Sequence, residues 1–368
     1  MLRIVHIYKD YFPVLGGIEN HIRQLAEAQV RRGHDVTVLV AQLQGLPATE
    51  ELTNGVRVVK LRRQLNVQSA PISLSLPEAV RRWTSGADIA HLHAPYPPGE
   101  LCNWLLGGAS RTVITWHSDI VRQRLLLRLY APLLRRVLRG VDGIVATSEP
   151  YMRTSPWLRP HWHKCRIVPL GVDTERFTPA HQPEVNADKL TLLSVGRLRY
   201  YKGLDDLIRA LSALPFAQLR IVGSGPMQDE WKRLAAALGV AERVHFIGDV
   251  DDAALPDCYR QADVYVIPAN SRAEAFGMAI LEAMASGLPV ISTEVGTATS
   301  WINQHGVTGL VLPPRDPAAL VEAVRTLRDP LLRRHMGEAA RARVVAEFTE
   351  SRMIERIEEV YRALLAHQ

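Results

Sequence analysis

Short apolar runs alternate along almost the whole chain with longer segments in which apolar residues recur at helical spacing. The first run, RIVHIY at 3–8, is followed by a glycine loop, a helical pattern over 18–32 and the run DVTVLVA at 35–41. Strands that alternate with helices are typical of βαβ units and parallel sheets. Further strands are predicted in the first half at 56–61, 89–94, 112–117, 143–148 and 166–171.

The same pattern stops near the middle of the chain and then begins again. Residues 173–190 carry turn formers and little periodicity, which indicates a linker. A strand at 190–196, a loop with Lys202 and Gly203 and a further helix then repeat the opening order. Two similar α/β halves imply a cleft between them, and such clefts usually hold the ligand.

The composition fits this two-domain interpretation. A chain of 368 residues is too long for one ordinary core, and 47% hydrophobic with 22% charged residues is typical of a soluble globular protein. No apolar run reaches about 18 residues, so no transmembrane helix is expected. The start, MLRIVHIY, lacks the apolar core of a signal peptide, so we expect a cytoplasmic protein. The cysteines predict neither a disulfide framework nor a zinc site, because they are far apart and form no C-x-x-C pair: Cys102, Cys165 and Cys258.

The net charge of +6 is unevenly placed. The stretch 121–140, VRQRLLLRLYAPLLRRVLRG, contains leucines and arginines and no acidic residue. Such a segment can lie on an acidic lipid surface, or it can pack on its own sheet with its arginines in water, and the two interpretations are compatible. The arginines concerned are Arg122, Arg124, Arg128, Arg135, Arg136 and Arg139.

The most informative motif is EAFGMAILE at 274–282, which follows a predicted strand at 264–269. Gly277 stands where a loop turns into a helix, and the free N–H groups of a helix N-terminus suit a diphosphate. Glu282 lies more than a turn inside the helix, where a carboxylate can accept hydrogen bonds from a ribose diol. Glu274 precedes the helix and can bind sugar hydroxyls. Taken singly, Glu274 also fits an ordinary helix-entry residue, and Glu282 fits a solvated helix position.

A second motif, VGRLRYYKG at 195–203, places two cations at the carboxyl end of a strand. Arg197 can bind a phosphate in bidentate fashion, and Lys202 adds a point charge. Both can also neutralise charge that builds up on a departing diphosphate. A third feature, Gly16 and Gly17 after the first strand, is compatible with a tight turn or with a small-residue surface that faces a ligand.

Together these strings resemble the retaining glycosyltransferases of family 4, which have the GT-B fold of two facing Rossmann-like domains. The resemblance rests on PVLGGIE at 13–19, VGRLRYYKG at 195–203 and EAFGMAILEAMASGLPV at 274–290, and the layout agrees over nearly the whole chain. It implies an N-terminal acceptor domain over 1–175, completed by a C-terminal helix at about 349–368. It also implies a nucleotide-sugar donor domain over 176–348.

The resemblance assigns roles to individual residues. His117 is placed near the transferred sugar, Glu274 in contact with it, and Arg197 and Lys202 on the diphosphate. The base is expected near Asp249 and Val250, read by backbone groups. The residues implied in binding the nucleotide-sugar donor are Gly16, Gly17, Arg197, Lys202, Val250, Glu274, Phe276, Gly277, Met278 and Glu282. Neither a cofactor nor a metal is implied, since the nucleotide sugar is a substrate.

One segment departs from the family pattern. After the strand at 289–293 the family often has a double glycine followed by an acid, whereas this chain reads EVGTATS at 294–300. Gly296 therefore stands without its twin, and the contacts expected from this loop are in doubt.

Two other patterns suggest different chemistry and are weak. His91 with His93, and His161 with His163, are predicted to alternate on a strand, but neither pair has a third ligand nearby in sequence, so we expect no metal site. The string IVGSGPMQ at 221–228 imitates a dinucleotide fingerprint, but glutamine stands where the third glycine belongs.

The run TWHSDIVRQ at 115–123 is similar to mannosyltransferases that build bacterial surface polysaccharides. This favours GDP-mannose as donor and a lipid-linked oligosaccharide or similar glycan as acceptor, with peripheral contact at the inner membrane through 121–140 and no nucleic-acid partner. UDP-glucose and UDP-N-acetylglucosamine remain alternative donors. A nucleotide-sugar epimerase and a non-catalytic nucleotide-sugar binding protein remain alternative functions.

Overall fold

The computed structural model describes residues 1–14, 16–67, 70–120, 124–180 and 189–366. Its internal contacts divide the chain into two compact units. The first unit comprises Met1–Pro169 and Glu350–Gln368, and the second comprises Leu170–Thr349. The division thus falls between residues 169 and 170, where the sequence predicts 175 and 176.

The first unit is built on one large sheet and flanking helices. Its strands are β1 (Arg3–Ile7), β2 (Asp35–Ala41), β3 (Thr49–Thr53), β4 (Val56–Leu61), β5 (Leu65–Val67), β6 (Ala70–Ile72), β7 (Ile89–Ala94), β8 (Arg111–Trp116), β9 (Gly143–Ala146) and β10 (Cys165–Ile167). Its helices before the second unit are α1 (Gly17–Arg31), α2 (Leu76–Thr84), α3 (Pro97–Leu106), α4 (Arg124–Gly140) and α5 (Glu149–Thr154), with a 3₁₀ turn at Arg159–Lys164.

The strand order of this sheet is β10-β9-β8-β7-β1-β2-β4-β3, while β5 and β6 form a separate two-stranded antiparallel sheet. Every pairing in the large sheet is parallel except the one between β3 and β4. Asn54 and Gly55 connect these two strands with φ of 51° and 81°. Two positive φ values in a two-residue loop suit a tight hairpin, which explains the antiparallel edge strand that the sequence analysis did not predict.

The second unit repeats the α/β alternation with a fully parallel sheet in the order β13-β12-β11-β14-β15-β16. Its strands are β11 (Leu190–Val195), β12 (Ala217–Val222), β13 (Val244–Gly248), β14 (Val264–Ile267), β15 (Val290–Thr293) and β16 (Gly309–Leu312). Its helices are α6 (Leu204–Ala210), α7 (Gln228–Ala237), α8 (Leu255–Arg260), α9 (Met278–Ala285), α10 (Ala298–Ile302), α11 (Pro317–Thr326) and α12 (Pro330–Glu347). Short 3₁₀ turns lie at Tyr200–Lys202, Leu211–Ala213 and Ala241–Arg243.

The last helix, α13 (Glu350–Leu365), belongs to the first unit. Its buried face carries Ile357 and Tyr361 at the four-residue spacing of one helix side. Arg32 at the end of α1 forms an ion pair with Glu358, with 2.9 Å between Nη1 and Oε2. The chain therefore leaves the first unit, builds the second and returns to cover the first with one amphipathic helix.

Helix α4 lies in the arginine-rich stretch, of which residues 121–123 are outside the described residues. The buried side of α4 carries Leu134, Val137 and Leu138, and the opposite side exposes Arg135 and Arg139. No helix in the described part of the chain combines the length and the hydropathy that crossing a bilayer requires.

Candidate functional site

The carboxyl edge of the second sheet brings two predicted site residues into direct contact. Strands β11 and β14 are parallel neighbours, so the loops that follow them leave from the same edge. Lys202 follows β11 and Glu274 follows β14, and Nζ of the lysine lies 2.8 Å from Oε2 of the glutamate. Their side chains are only 12% and 8% exposed. The sequence analysis assigns these residues to the diphosphate and to the sugar, and the structure pairs them with each other.

Because this ion pair is buried, each of its two charges depends on the other for compensation. Desolvation alone would lower the pKa of Lys202, but the neighbouring Glu274 carboxylate raises that pKa above its ordinary value. The lysine is therefore charged at neutral pH. Removing either partner would leave an uncompensated charge in a buried place, which typically costs about 3–5 kcal/mol. The pair thus holds the two loops in one relative position.

Glycines allow the backbone to approach this pair. Gly196 at the end of β11 has φ of 136°, and a Cβ there would lie 3.2 Å from Nζ of Lys202. Gly203, with φ of 67°, lies against the carbonyl oxygen of Pro268, which an added Cβ would approach to 2.0 Å. Side chains at either position would displace the lysine loop. Arg197 is exposed on the same loop.

Helix α9 starts beside the ion pair. Gly277 caps it in the left-handed conformation, with φ of 85°, and contributes no side chain. A Cβ at this position would lie 2.8 Å from Cδ1 of Ile280 and 3.7 Å from Oε1 of Glu274. Phe276 is buried and Met278 is half-buried. The first turn of α9 therefore presents backbone N–H groups next to a fixed ammonium, which together suit an anion, while the Glu274 carboxylate compensates that ammonium.

Glu282 has a partner that the sequence analysis missed. The hydroxyl of Tyr259, on α8, donates a hydrogen bond to Oε2 of Glu282 over 2.5 Å. Burial raises the pKa of Glu282, and the bond from Tyr259 opposes that increase. Tyr259 lies in the string LPDCYR, where a lone tyrosine gives no signal in the sequence. One carboxylate oxygen of Glu282 is oriented, and the carboxylate keeps further acceptor capacity.

Hydrogen bonds connect the residues after β12 with those at the end of β13. The N–H of Gly223 donates to the carbonyl of Gly248 over 2.7 Å, and Ser224 Oγ donates to Asp249 Oδ2 over 2.6 Å. Val250, expected near the base, is half-buried directly after this contact.

The loop that departs from the family pattern still contacts the site. Thr297 Oγ1 donates a hydrogen bond to the backbone carbonyl of Glu274 over 2.7 Å. Gly296, with φ of 72°, donates its N–H to Oε1 of Glu294 over 2.8 Å. The loop therefore supports the backbone of Glu274 without the second glycine.

The first unit gathers buried histidines at the carboxyl edge of its sheet. His117 follows β8 and is 4% exposed, and its backbone N–H donates to the carbonyl of Ala94 over 3.1 Å. Strand β7 lies between β1 and β8, so side chains from three strands meet on one face. The cluster, called here the histidine cluster, consists of His6 on β1, His21 on α1, His91 and His93 on β7, and His117.

The start of α1 adjoins this cluster. Gly16 caps the helix in an extended conformation, and Gly17 is its first residue. One turn later His21 faces His117, with 5.2 Å between ring centroids. Neither ring nitrogen of His21 has a hydrogen-bond partner in the part of the chain that the structure describes. The two glycines predicted to lie against the nucleotide-sugar donor therefore lie within one helical turn of a residue packed on His117.

The fold contradicts the reason for which no metal site is expected at the histidine pairs. His91 and His93 have no third ligand nearby in sequence, but the fold supplies candidates from other elements. One ring nitrogen each of His6, His91 and His93 lies within 4.8 Å of the others, and the same holds for His21, His93 and His117. Sequence separation was thus the wrong criterion, while the expectation of no metal stays a prediction.

Burial keeps the cluster neutral at physiological pH. Desolvation lowers the pKa of His6 to about 4 and that of His21 to about 3, and it lowers the pKa of His117 well below the ordinary value of 6.5. The two units therefore differ in character: the second presents fixed charges, and the first presents neutral imidazoles.

Comparison with known proteins places this arrangement in a family. Residues 15–176 match the model described as Glycosyltransferase Family 4, and residues 177–343 match Glycosyl transferases group 1. A D-rhamnosyltransferase, WbpZ of Pseudomonas aeruginosa, is 42% identical over 95% of this chain and 92% of its own. The chain belongs to glycosyltransferase family 4. O-antigen chain mannosyltransferase C of Escherichia coli is 36% identical to this glycosyltransferase, over 99% of each protein.

Solved structures give the fold of the glycosyltransferase. Sucrose-phosphate synthase from Thermosynechococcus elongatus is similar with a TM-score of 0.81 and 25% identity over 99% of both chains. WaaG, a glycosyltransferase of lipopolysaccharide biosynthesis, is similar with a TM-score of 0.70 and 19% identity, over 97% of this chain and 99% of its own. The predicted GT-B fold of two Rossmann-like domains is confirmed.

The histidine cluster makes the stability of the glycosyltransferase sensitive to acid. Between pH 6.5 and about 4, these histidines bind protons in the unfolded chain but not in the folded one. Stability is therefore complete above pH 6.5 and decreases as the pH falls through this window. The free energy of unfolding in urea should be smaller at pH 5 than at pH 8, and His21→Leu should reduce the difference by about 2 kcal/mol.

His163→Leu is the matched control, because His163 is exposed in the same unit. It should leave the difference between pH 5 and pH 8 unchanged. Equal pH dependence in the wild type and the His21→Leu variant would contradict the analysis.

Proposed function

We propose that this glycosyltransferase moves mannose from GDP-mannose to a lipid-linked oligosaccharide or similar glycan acceptor with retention of configuration. The observation that carries the proposal is the buried pair of Lys202 and Glu274 beside the start of α9. A cation, a carboxylate and free backbone N–H groups together match a sugar that is linked to a diphosphate.

Binding of the diphosphate would change the partner of Lys202. In the absence of ligand its ammonium is compensated by Glu274 at 2.8 Å. A pyrophosphate at the first turn of α9 offers a stronger anion, while Arg197 adds a bidentate guanidinium. Glu274 would then be available to accept hydrogen bonds from hydroxyls of the transferred sugar. The ion pair would thus preorganise both groups before the substrate arrives.

Glu282 would bind the ribose of the nucleotide. Tyr259 occupies one of its oxygens, so the carboxylate is oriented and its remaining lone pairs can accept from a ribose diol. The backbone at Val250 would contact the base. Phe276, Gly277 and Met278 would hold the sugar and diphosphate through backbone groups.

Transfer would proceed through an oxocarbenium-like transition state. The bond from the anomeric carbon to the phosphate oxygen breaks, and a new bond forms to the acceptor oxygen on the same face. The proton of the acceptor hydroxyl passes to the departing phosphate, so no carboxylate base is required, unlike in glycosidases. Stabilisation of charge on the leaving diphosphate is then the largest contribution of the protein, and it comes from Arg197, Lys202 and α9. His117 would contact the sugar, and no metal or cofactor takes part.

The relatives support the choice of sugar. The 36% identical protein is a mannosyltransferase of O-antigen chains, and a 30% identical protein of Mycobacterium tuberculosis is a GDP-mannose-dependent mannosyltransferase acting on a phosphatidylinositol monomannoside. The 42% identical protein is a D-rhamnosyltransferase. The second candidate for the transferred sugar is therefore D-rhamnose, which is the 6-deoxy form of mannose. UDP-glucose and UDP-N-acetylglucosamine are the remaining alternatives from the sequence.

The nucleotide specificity can be tested by thermal shift against a panel of nucleotide sugars. GDP-mannose, or GDP-linked D-rhamnose, should raise the melting temperature in a concentration-dependent manner, because a ligand that binds only the folded state stabilises it. Turnover with and without a glycan acceptor then separates transfer from epimerisation and from binding alone. Stabilisation by UDP-sugars and not by GDP-sugars would contradict the proposed donor.

The role of Glu274 can be tested by Glu274→Gln. Loss of the carboxylate should reduce kcat at least about 100-fold, as for removal of a single charge-stabilising group at a reacting centre. The control is Glu322→Gln, because Glu322 is exposed on α11 and pairs only with a surface arginine in the described contacts. The double variant Lys202→Met/Glu274→Gln removes the stranded charge and separates loss of catalysis from loss of folding. A normal transfer rate in Glu274→Gln would refute the site assignment.

The acceptor proposal includes contact of α4 with anionic lipid. The described part of the helix exposes Arg128, Leu129, Arg135 and Arg139. The ring of Trp157 lies 5.8 Å from the guanidinium of Arg135. Arginines with exposed apolar neighbours suit the surface of an anionic leaflet, where lipid-linked acceptors lie.

Sedimentation with phosphatidylglycerol vesicles tests this contact. Arg128→Glu/Arg135→Glu should weaken binding at least about tenfold, since each surface arginine contributes about 1 kcal/mol. The control, Arg334→Glu, changes an exposed arginine on α12 of the second unit. Binding that is unaffected by the double variant would assign α4 an entirely structural role.

A further inference from the structure

Part of the histidine cluster forms one continuous hydrogen-bonded chain that ends at His117. The chain begins at Tyr361 on α13, whose hydroxyl lies 3.4 Å from Nε2 of Gln29 on α1. Gln29 Oε1 lies 2.8 Å from His6 Nε2, and His6 Nδ1 lies 3.1 Å from His93 Nε2. His93 Nδ1 lies 3.0 Å from His117 Nε2. All five side chains are buried.

The amide of Gln29 gives this chain a direction. Its oxygen can only accept, so His6 donates from Nε2. A neutral imidazole has one N–H and one lone pair, so His6 Nδ1 must accept from the Nε2–H of His93. By the same rule His93 Nδ1 accepts from the Nε2–H of His117. His117 is therefore protonated at Nε2, and its lone pair is on Nδ1.

The other side of Gln29 is consistent with the same direction. The amide nitrogen donates to the hydroxyl of Tyr361, which donates its own hydrogen to His91 Nδ1 over 2.5 Å. His91 then donates from Nε2 to Thr115 Oγ1 over 2.7 Å. No donor faces another donor along the whole path. This direction holds for neutral rings, and burial keeps them neutral because it lowers the pKa of His6, His91, His93 and His117.

We propose that Gln29 and Tyr361 are positioning residues that hold His117 as the Nε2–H tautomer, so that its Nδ1 accepts a hydrogen bond from a hydroxyl of the sugar substrate. This rests on the proposed function for the contact of His117 with sugar. Nδ1 of His117 is buried and has no hydrogen-bond partner within the described ranges, so none of the residues described there uses its acceptor capacity. A lone pair at this position selects a group that carries a hydrogen, as a sugar hydroxyl does.

A metal ion in the cluster would be incompatible with this chain. Both ring nitrogens of His93 are engaged, one with His6 and one with His117. A zinc ion bound by His93 would need one of those nitrogens as a ligand at about 2.0–2.1 Å, which interrupts the chain at that point. Metal binding is therefore an outcome that would overturn the proposal.

The tautomer can be read directly by NMR of the full-length enzyme with ¹⁵N-labelled histidine, because protonated and lone-pair ring nitrogens have well separated shifts. His117 is assigned from the signals that disappear in His117→Ala. The wild type should show a protonated Nε2 and an unprotonated Nδ1 for His117. A wild-type enzyme with His117 protonated at Nδ1 would overturn the proposal, as would His93 or His117 signals that shift on addition of EDTA.

Two substitutions at Gln29 distinguish a role of this residue in positioning His117 from a role in packing alone. Gln29→Met keeps the length of the side chain and removes the anchor, so His117 should divide between both tautomers and kcat should fall roughly twofold or more with the competent fraction. Gln29→Glu supplies carboxylate oxygens that only accept. As long as His6 stays neutral, which the ¹⁵N shifts of its ring report, the Nε2–H tautomer and kcat should be retained. A merely structural role predicts the reverse order, because methionine is better tolerated in a buried place than a carboxylate.

Thr115→Val is the matched control, because it removes a nearly isosteric hydroxyl from the His91 branch only. It should leave the tautomer of His117 unchanged, whereas Tyr361→Phe, which removes the acceptor for the Gln29 amide, should shift it partly. An unaltered His117 tautomer in both Gln29→Met and Tyr361→Phe would refute the positioning role. Full activity of His117→Ala alongside the expected tautomers would refute the proposed contact with sugar and leave the tautomer assignment intact.

Discussion

The ion pair between Lys202 and Glu274 is the interaction that joins the loops after β11 and β14. Its two members belong to separate loops, and they meet because β11 and β14 are adjacent and parallel. A buried charge needs its opposite charge in direct contact, so the pair determines where both loops lie. The positive φ values of Gly203 and Gly277 let the backbone turn tightly on either side of it. The ion pair, the positions of the two loops and the start of α9 are thus coupled to one another.

The carboxyl edges of the two sheets carry side chains that differ in charge. In the second unit the carboxyl edge carries an ion pair and a tyrosine-oriented carboxylate, which suit a charged diphosphate and a ribose. In the first unit the equivalent edge carries buried imidazoles that hydrogen-bond to one another. Fixed charges stabilise a leaving group, whereas neutral rings with defined tautomers can distinguish hydroxyl orientation. The same sheet architecture thereby presents fixed charges in one unit and neutral imidazoles in the other.

Several features were readable in the sequence because their causes are local. The period of apolar residues located β11, β14 and β15 to within about two residues, and the loop-to-helix turn at Gly277 lies where the motif predicts it. The hairpin at Asn54 and Gly55 was also readable, since this dipeptide favours positive φ at both positions, yet it was missed. The alternation of His91 and His93 correctly indicates one face of a strand, but it does not identify the residues opposite them. For His161 and His163 the expected strand is wrong, because Arg159–Lys164 forms a 3₁₀ turn.

The family, the α/β class and the motif at the start of α9 can be recognised without a structure, because strand period, glycine turns and a contiguous motif are properties of neighbouring residues. Three sets of contacts depend instead on the folded arrangement: Lys202 pairs with Glu274, Tyr259 orients Glu282, and His6, His93 and His117 form one hydrogen-bonded chain. These contacts join residues from different strands and helices. Strand order and register place them together, and both arise from packing of the whole sheet, which no local pattern encodes.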